Sequence, residues 1–199
     1  MKLLILDRDG TLNRSRDDKV ASPDEWEPMP GALEAVARLN HGGWRVVLAT
    51  NQSGIGRGLF DMGTLNAIHE KMHRALGQVG GRIDAVFYCP HTAEEECSCR
   101  KPAPGLFQQI ADHTGVAAPN ILVAGHALRH VQAGAVLHCP THILLTGRSA
   151  DWRERLAVDG AVVAEGLWLG LPKGTRAHTD LPAFVTWLLA QTSAARAPE

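Results

Sequence analysis

Two acidic residues at the end of a short apolar run are the first candidates for chemistry in this sequence. Residues 3–6 are Leu-Leu-Ile-Leu, and the segment that follows contains Asp7, Asp9, Gly10 and Thr11. A run as apolar as this predicts a strand that is buried on both faces, as in a parallel sheet. Ligands of parallel sheets bind beyond the carboxyl ends of the strands, where the two acids lie. One carboxylate there could accept a phosphoryl group while the second moves a proton. Thr11 could meet an anion, although a solvated Asp-Gly turn would also explain the pattern.

A second set of polar residues follows the next apolar run. Residues 44–49 are mostly apolar, and Thr50, Asn51 and Gln52 come directly after them. A hydroxyl and two amides at a strand end can hold a phosphate oxygen and the polar groups of a substrate, although Thr and Asn also end strands for reasons of turn geometry. In the glycine-rich stretch 54–58, Arg57 could donate two hydrogen bonds to a phosphate if it points inward; an exposed arginine is the alternative.

The cysteines predict a metal site. The ligand pattern is C-x-H, then five residues, then C-x-C, and its members are Cys89, His91, Cys97 and Cys99. Three thiolates and one imidazole complete a tetrahedron, so we expect a structural Zn²⁺ site without an open position. Residues 92–96 are too polar for buried cysteines without a ligand. We expect Cys139 in the core, and His138 and His142 in the core or at the surface.

Length and composition favour one domain without a general affinity for polyanions. The chain has 199 residues, which is enough for one sizeable core. Its 20 basic and 21 acidic residues leave a net charge of −1, so no partnership with nucleic acid or with a membrane is expected. The first apolar run is too short for a signal peptide, and no stretch approaches the ~20 apolar residues of a membrane span. We expect a cytoplasmic monomer with one domain at residues 1–191 and a frayed tail at 192–199.

Apolar runs and helical periodicities alternate along the chain. The predicted strands are residues 3–6, 44–50, 84–88, 120–124, 142–145 and 161–164. The predicted helices are residues 31–40, 61–79, 104–113, 128–137, 151–158 and 181–191, while residues 165–179 match neither pattern. Residues 14–30 also lack a period and predict a loop over the mouth of the sheet. Strands and helices that alternate in this way form right-handed βαβ units. The prediction is an α/β fold, a Rossmann-like parallel sheet with helices on both faces.

Three motifs of the sequence resemble those of the haloacid dehalogenase superfamily of phosphatases, and they are Asp7-Arg-Asp-Gly-Thr11, Thr50-Asn-Gln52 and Arg100-Lys-Pro102. The resemblance implies that Asp7 attacks phosphorus to form an aspartyl-phosphate. It implies that Asp9 acts first as an acid and then as a base. It also implies that Lys101 neutralises the nucleophile and the transferring phosphoryl group, while Thr50 binds phosphate and Asn51 contacts the leaving side.

Two loops narrow this resemblance. The glycine-rich stretch 53–58 and the cysteine loop 89–100 are similar to those of the D-glycero-D-manno-heptose 1,7-bisphosphate 7-phosphatase group. The similarity implies that a small zinc loop replaces a large cap domain and that Arg100 helps to recognise a small phosphorylated sugar. The implied reaction is hydrolysis of the 7-phosphate of that sugar. Histidinol phosphate or another small phosphomonoester is the alternative substrate.

The fourth motif departs from the family pattern. The resemblance implies a Mg²⁺ site formed by Asp7, Asp9 and an aspartate at the end of the fourth strand, with a second aspartate four residues later. His126 and His130 stand at these two positions. Mg²⁺ prefers oxygen, so an imidazole removes both a ligand and a charge. Mg²⁺ could then bind weakly through Asp7, the Asp9 carbonyl and water; a softer divalent metal could use His126; turnover could be lost while phosphosugar binding stays; or both histidines could be hydrogen-bonded core residues.

Overall fold

A parallel sheet of six strands forms the centre of the protein. A computed structural model describes residues 1–16, 19–147, 150 and 170–194. The strands are β1 (Lys2–Leu6), β2 (Trp44–Asn51), β3 (Ala85–Cys89), β4 (Ile121–Gly125), β5 (Thr141–Leu144) and β6 (Arg176–His178). Their order is β3-β2-β1-β4-β5-β6, and every neighbouring pair is parallel. The direction of winding reverses between β1 and β4, which places a ligand crevice beyond the carboxyl ends of these two strands.

Helices cover both faces of the sheet. They are α1 (Ala32–His41), α2 (Ser53–Gly56), α3 (Met62–Gln78), α4 (Gly105–Thr114), α5 (Leu128–Val136) and α6 (Leu181–Ala194). In β1, Leu4 and Leu6 belong to the core beneath α1, α3 and α6, whereas Leu3 and Ile5 belong to the core beneath α4. Successive side chains of a strand point to opposite faces, so this uniformly apolar strand needs a helical layer on each side. The predicted fold class is confirmed.

The predicted elements up to residue 145 agree with the structure apart from their ends. The glycine-rich stretch after β2 contains the single turn α2, where we predicted only a loop. Strand β6 lies in the stretch that matched neither pattern, because three residues are too few to display a period. Helix α6 runs three residues past its predicted end, to Ala194, and so into the segment predicted as a frayed tail. The predicted helix 151–158 and strand 161–164 lie outside the described residues.

The helices of the described ranges include none that combines the length and the apolar character needed to cross a membrane.

The register of the central strands brings their polar ends together. Leu6 of β1 pairs with Leu48 of β2 on one side and with Ala124 of β4 on the other. The next residues of the three strands therefore emerge at the same edge of the sheet. This edge carries Asp7 after β1, the end of β2 at Asn51, and His126 after β4.

A pair of buried histidines joins the last two strands. His142 Nδ1 and His178 Nε2 are 3.0 Å apart, and the rings of Phe184 and Trp187 lie about them at centroid distances of 4.8–5.3 Å. Burial lowers the pKa of His142 to about 3, with smaller contributions of the same sign from His178 and Arg176. His142 is therefore a neutral core residue, in agreement with one of the two placements expected for it.

This pair makes folding sensitive to acid. The pKa of His142 is about 3 in the folded chain against 6.5 for the unperturbed group, so only the unfolded chain binds a proton between these values. Its contribution to stability is complete above pH 6.5 and is lost as the pH falls toward 3. The free energy of unfolding should fall by up to about 1.4 kcal/mol per pH unit from this residue. Urea unfolding across the window measures the slope, and His142→Phe should reduce it. An unchanged slope in this variant would contradict the assignment.

Candidate active site

The carboxylate of Asp7 forms a buried ion pair with Lys101 at the carboxyl end of β1. Lys101 Nζ lies 2.9 Å from Asp7 Oδ1 and donates a second hydrogen bond to the carbonyl oxygen of Ala49 at 2.6 Å. The N–H of Arg8 donates to the same Oδ1 at 3.0 Å. Burial raises the pKa of Asp7, but Lys101 and the other cationic groups nearby lower it by more, so the carboxylate is ionised. Among the described residues the hydrogen bonds fall on Oδ1, which leaves Oδ2 for another partner.

His130 accepts the third hydrogen bond of Lys101. Its Nδ1 lies 3.0 Å from Lys101 Nζ and 4.0 Å from Asp7 Oδ2. Burial and the adjacent ammonium group lower the pKa of His130 to about 3. The ring is therefore neutral, and because Nδ1 accepts, its proton resides on Nε2. The edge of the ring also packs against Phe107, with centroids 5.2 Å apart. His130 thus behaves as a hydrogen-bonded core histidine that keeps Lys101 in place.

His126 lies in the crevice against two glycines. A Cβ atom at Gly10 would stand 2.6–2.7 Å from three atoms of the His126 ring, and one at Gly147 would stand 2.9 Å from the same ring. Gly10 also has a φ of 74°, which side chains rarely adopt. The N–H of His126 donates to Thr11 Oγ at 3.1 Å. Thr11, which we expected to meet an anion, here connects the loops after β1 and β4.

Arg8 holds the carboxylate of Asp9. The guanidinium is fully buried, and its Nη2 lies 2.9 Å from Oδ1 and 3.1 Å from Oδ2 of Asp9. Asn13 Nδ2 donates to Oδ1 at 3.0 Å, and Gln52 Nε2 donates to Oδ2 at 3.1 Å. Burial raises the pKa of Asp9, but Arg8 and these hydrogen bonds lower it by more. In this arrangement Asp9 is ionised and suits the role of a base. Sequence analysis missed this role of Arg8. Its position between the two acids at the strand end could have indicated it.

The polar end of β2 is tied to the same residues. Gln52 Nε2 also donates to Thr50 Oγ at 2.8 Å. The side-chain amide of Asn51 brackets the Lys101 peptide, since Nδ2 donates to its carbonyl oxygen and Oδ1 accepts from its N–H, each at 3.1 Å. Asn51 therefore positions Lys101. Thr50 lies at the crevice and is buried, with 1% of its surface exposed.

A pocket of about 300 Å³ opens above these groups. Six of its lining residues are Asp9, Arg16, Lys19, Asn51, His126 and Arg129. Sequence analysis missed the three cationic members, because an exposed arginine or lysine has no pattern that separates a binding group from a solvated one. The described lining does not include Arg57, which is exposed, or Arg100, whose Nη1 donates to the carbonyl oxygen of His91 at 3.1 Å. The substrate-binding roles of these two arginines stay predictions.

The crevice offers a poor donor set for Mg²⁺. This ion is held by carboxylates, carbonyls and water in near-octahedral geometry. Asp7 Oδ1 already receives two hydrogen bonds, and both oxygens of Asp9 receive hydrogen bonds from side chains. His126 and His130 bring nitrogen and no negative charge. Over the described ranges, the side chains of Asp7, Asp9 and His126 do not converge as a three-ligand group. A Mg²⁺ site here would therefore rest on Asp7 Oδ2 and the backbone carbonyl oxygen of Asp9, without the carboxylate that the family motif implies at position 126.

The zinc loop is a compact cluster of soft ligands. The four ligand atoms of Cys89, His91, Cys97 and Cys99 all lie within 4.8 Å of one another. Adjacent separations are 3.6 Å from Cys89 Sγ to His91 Nδ1, 3.3 Å from His91 Nδ1 to Cys99 Sγ, and 3.4 Å between the sulfurs of Cys97 and Cys99. These spacings are those of the corners of one coordination tetrahedron around Zn²⁺. The cluster could therefore bind zinc, as predicted. Cys139 is buried and lies in the core, also as predicted.

Comparison with known proteins agrees with this geometry. A protein of Bordetella bronchiseptica described as D-glycero-beta-D-manno-heptose-1,7-bisphosphate 7-phosphatase is 49% identical over 95% of this chain and 98% of its own. This chain belongs to that phosphatase family. A crystal structure of a heptose 1,7-bisphosphate phosphatase from the same organism, complexed with magnesium and phosphate, has 47% identity and a TM-score of 0.86 and covers 96% of this chain and 99% of its own.

Broader comparisons place the heptose bisphosphate phosphatase family among haloacid dehalogenase-like proteins. A HAD-like phosphatase from Mesorhizobium loti is 25% identical, with a TM-score of 0.75, over 100% of this chain and 89% of its own. The family model for polynucleotide kinase 3 phosphatase matches residues 2–125. That range contains the two acids after β1, the polar end of β2, the zinc loop and Lys101. The resemblance inferred from the motifs is confirmed.

Zinc should be stoichiometric and independent of the crevice. The cluster supplies four ligands and no open position, so we expect about one zinc per chain by elemental analysis. Cys97→Ala should lose this zinc and lower thermal stability, because the binding free energy of a structural zinc is also folding free energy. Cys139→Ala is the matched control, since it removes a cysteine outside the cluster and should retain the metal. Folded, reduced protein without zinc would contradict the assignment.

Proposed function

We propose that this protein hydrolyses the 7-phosphate of D-glycero-D-manno-heptose 1,7-bisphosphate through an aspartyl-phosphate on Asp7. The observation that supports this most strongly is the ion pair of Asp7 and Lys101 at the reversal point of the sheet. A buried, ionised carboxylate with one oxygen uncommitted is a competent nucleophile. A relative of known structure that covers 96% of this chain is named for the same substrate and was crystallised with magnesium and phosphate.

Each polar residue around the nucleophile has a separate task in this proposal. Asp7 Oδ2 attacks phosphorus, and Lys101 stays on Oδ1, where it stabilises the negative charge of the transferring group. Asp9 protonates the leaving oxygen and later removes a proton from water. The contacts of Asp9 favour the second role in the resting protein, so the first role needs a proton that is acquired as the anionic substrate binds and raises its pKa. Thr50 lies beside these groups as a hydroxyl donor to a phosphate oxygen.

The pocket supports a small anionic substrate. A volume of about 300 Å³ lies at the lower end of the range for small-ligand sites. Its described lining contains three cationic side chains, those of Arg16, Lys19 and Arg129, and one carboxylate, that of Asp9. A sugar that carries two phosphates matches this balance. The alternative substrate, histidinol phosphate, carries an amine that these side chains would repel. A polynucleotide is disfavoured by the net charge of −1 over the whole chain.

A second candidate function is phosphosugar binding without turnover. His126 and His130 favour it, because they remove the carboxylates that would hold Mg²⁺ between nucleophile and substrate. Under the primary proposal Mg²⁺ binds weakly, or another divalent metal replaces it, and zinc in the loop is structural.

We also propose that the protein is a cytoplasmic monomer, in a compartment where the thiols of the zinc loop stay reduced.

Removing the nucleophile should separate these two functions. Asp7→Asn should reduce phosphate release from heptose 1,7-bisphosphate by a factor of at least about 10³, since the amide cannot form the acyl phosphate. Asp9→Asn should reduce it by about 10²–10⁴, the usual contribution of acid–base catalysis. The assay is colorimetric release of inorganic phosphate with several divalent metals present in turn.

The matched control is Asp61→Asn. Asp61 caps α3 through a hydrogen bond to the N–H of Thr64 at 2.8 Å, and asparagine caps helices equally well. This variant should retain full activity. Equal release by the natural protein and by Asp7→Asn under every metal would refute the phosphatase proposal and leave the binding function.

A further inference from the structure

His130 is a neutral hydrogen-bond acceptor for Lys101 at a position where the family motif implies an aspartate. An ammonium group has three protons, and those of Lys101 are directed to Asp7 Oδ1, the Ala49 carbonyl oxygen and His130 Nδ1 at 2.9, 2.6 and 3.0 Å. All three are therefore satisfied inside the protein. One of the three acceptors carries a full negative charge, that of Asp7. The positive charge of Lys101 is thus opposed at this point by one carboxylate alone.

His126 leaves the opposite wall of the crevice without a carboxylate. Its ring fills the space between Gly10 and Gly147, next to the ends of β1 and β4. Within the described residues that contact Asp7 or line the pocket, the carboxylates are those of Asp7 and Asp9. Neither protonation state of an imidazole adds a negative charge. A divalent cation consequently finds no more than two anionic groups here, and three of their four carboxylate oxygens already accept hydrogen bonds.

Arg129 adds positive charge at the mouth. It lies one residue before His130 on α5, lines the pocket and is exposed. It is close enough to Asp7 to lower the pKa of that carboxyl group. Together, Lys101, Arg129 and the buried Arg8 bring three positive charges against the two negative charges of Asp7 and Asp9. The crevice is therefore electropositive toward a phosphate dianion before any metal binds.

We propose that this crevice binds the phosphoryl group of its substrate without a divalent cation, with Lys101 and Arg129 supplying the positive charge that a metal supplies elsewhere. Exchanging two carboxylates for two imidazoles removes two negative charges, which equals the charge that one divalent cation would neutralise. The electrostatic balance needed by a bound phosphate is thus reached by the side chains themselves. This inference concerns the same site as the proposed function and rests on it for the nature of the ligand.

The experiment is calorimetric titration of the full chain with inorganic phosphate. The protein and buffer are passed over a chelating resin to remove Mg²⁺, and the zinc content of the loop is verified afterwards. We expect saturable binding whose dissociation constant changes less than about twofold when Mg²⁺ or Mn²⁺ is added. Binding that appears only with a divalent cation, or that strengthens more than about tenfold, which corresponds to 1.4 kcal/mol, would overturn the proposal.

Three variants test the charge argument in the same titration. Arg129→Gln should weaken metal-free binding about tenfold or more, as expected for the loss of a charge-assisted hydrogen bond, whereas Arg74→Gln should not change it. Arg74 is the matched control because it is an exposed arginine on α3, paired with Glu70. The double variant His126→Asp with His130→Asp should bind phosphate poorly in metal-free buffer and recover with Mg²⁺. Metal-free affinity that survives in this double variant would overturn the charge argument.

The outcome is separable from that of the proposed function. Phosphate release from heptose 1,7-bisphosphate is followed in parallel under the same metal conditions. Metal-independent phosphate binding without release supports the inference and rejects the phosphatase proposal. Release that needs a divalent cation, together with metal-dependent phosphate binding, retains the phosphatase proposal and rejects the inference.

Discussion

The ion pair between Asp7 and Lys101 is the interaction on which the arrangement of the site depends. Taking two charges out of water is costly, and their attraction offsets the cost only when geometry is good and the remaining donors are satisfied. Both conditions are met, since the side chains are 1% and 5% exposed and the ammonium group makes three hydrogen bonds. Each partner comes from a different part of the chain, so the pair forms only when β1, β2 and α5 are in place. The chemistry of the crevice is thus coupled to completion of the fold.

The zinc loop contributes to this coupling. Cys89 is the last residue of β3, and Cys99 precedes Lys101 by two residues. The intervening segment 92–96 is polar and exposed for most of its length, so it has little apolar surface to bury. Four ligands around one metal can order such a segment where hydrophobic packing cannot. Asn51 then binds both ends of the Lys101 peptide and joins the loop to the end of β2. The position of Lys101 therefore depends both on the Cys/His cluster two residues before it and on the end of β2.

His126 and His130 contribute packing and a hydrogen bond to the crevice but no negative charge. His130 accepts a hydrogen bond from Lys101, and His126 closes the crevice over Gly10. Relative to the two aspartates that the family motif implies at these positions, the imidazoles leave the crevice with two fewer negative charges. For a site that would bind a phosphate dianion, charge has a larger effect than packing on which ligands and ions can bind.

Sequence alone determined the parallel sheet, five of its strands, the order of polar residues at the strand ends and the four members of the Cys/His cluster. These features depend on local periodicity or on spacing along the chain, which a sequence displays directly. Only the tertiary structure showed that Arg8 forms an ion pair with Asp9, that His130 accepts a hydrogen bond from Lys101, and that Arg129 lines the pocket. The contact of His130 with Lys101 joins residues 29 positions apart in sequence. The directions of the Arg8 and Arg129 side chains are set by the folded surroundings, and no periodicity of the sequence reports them. The protonation of the buried histidines belongs here too, because it is set by desolvation and by neighbouring charges in the folded protein.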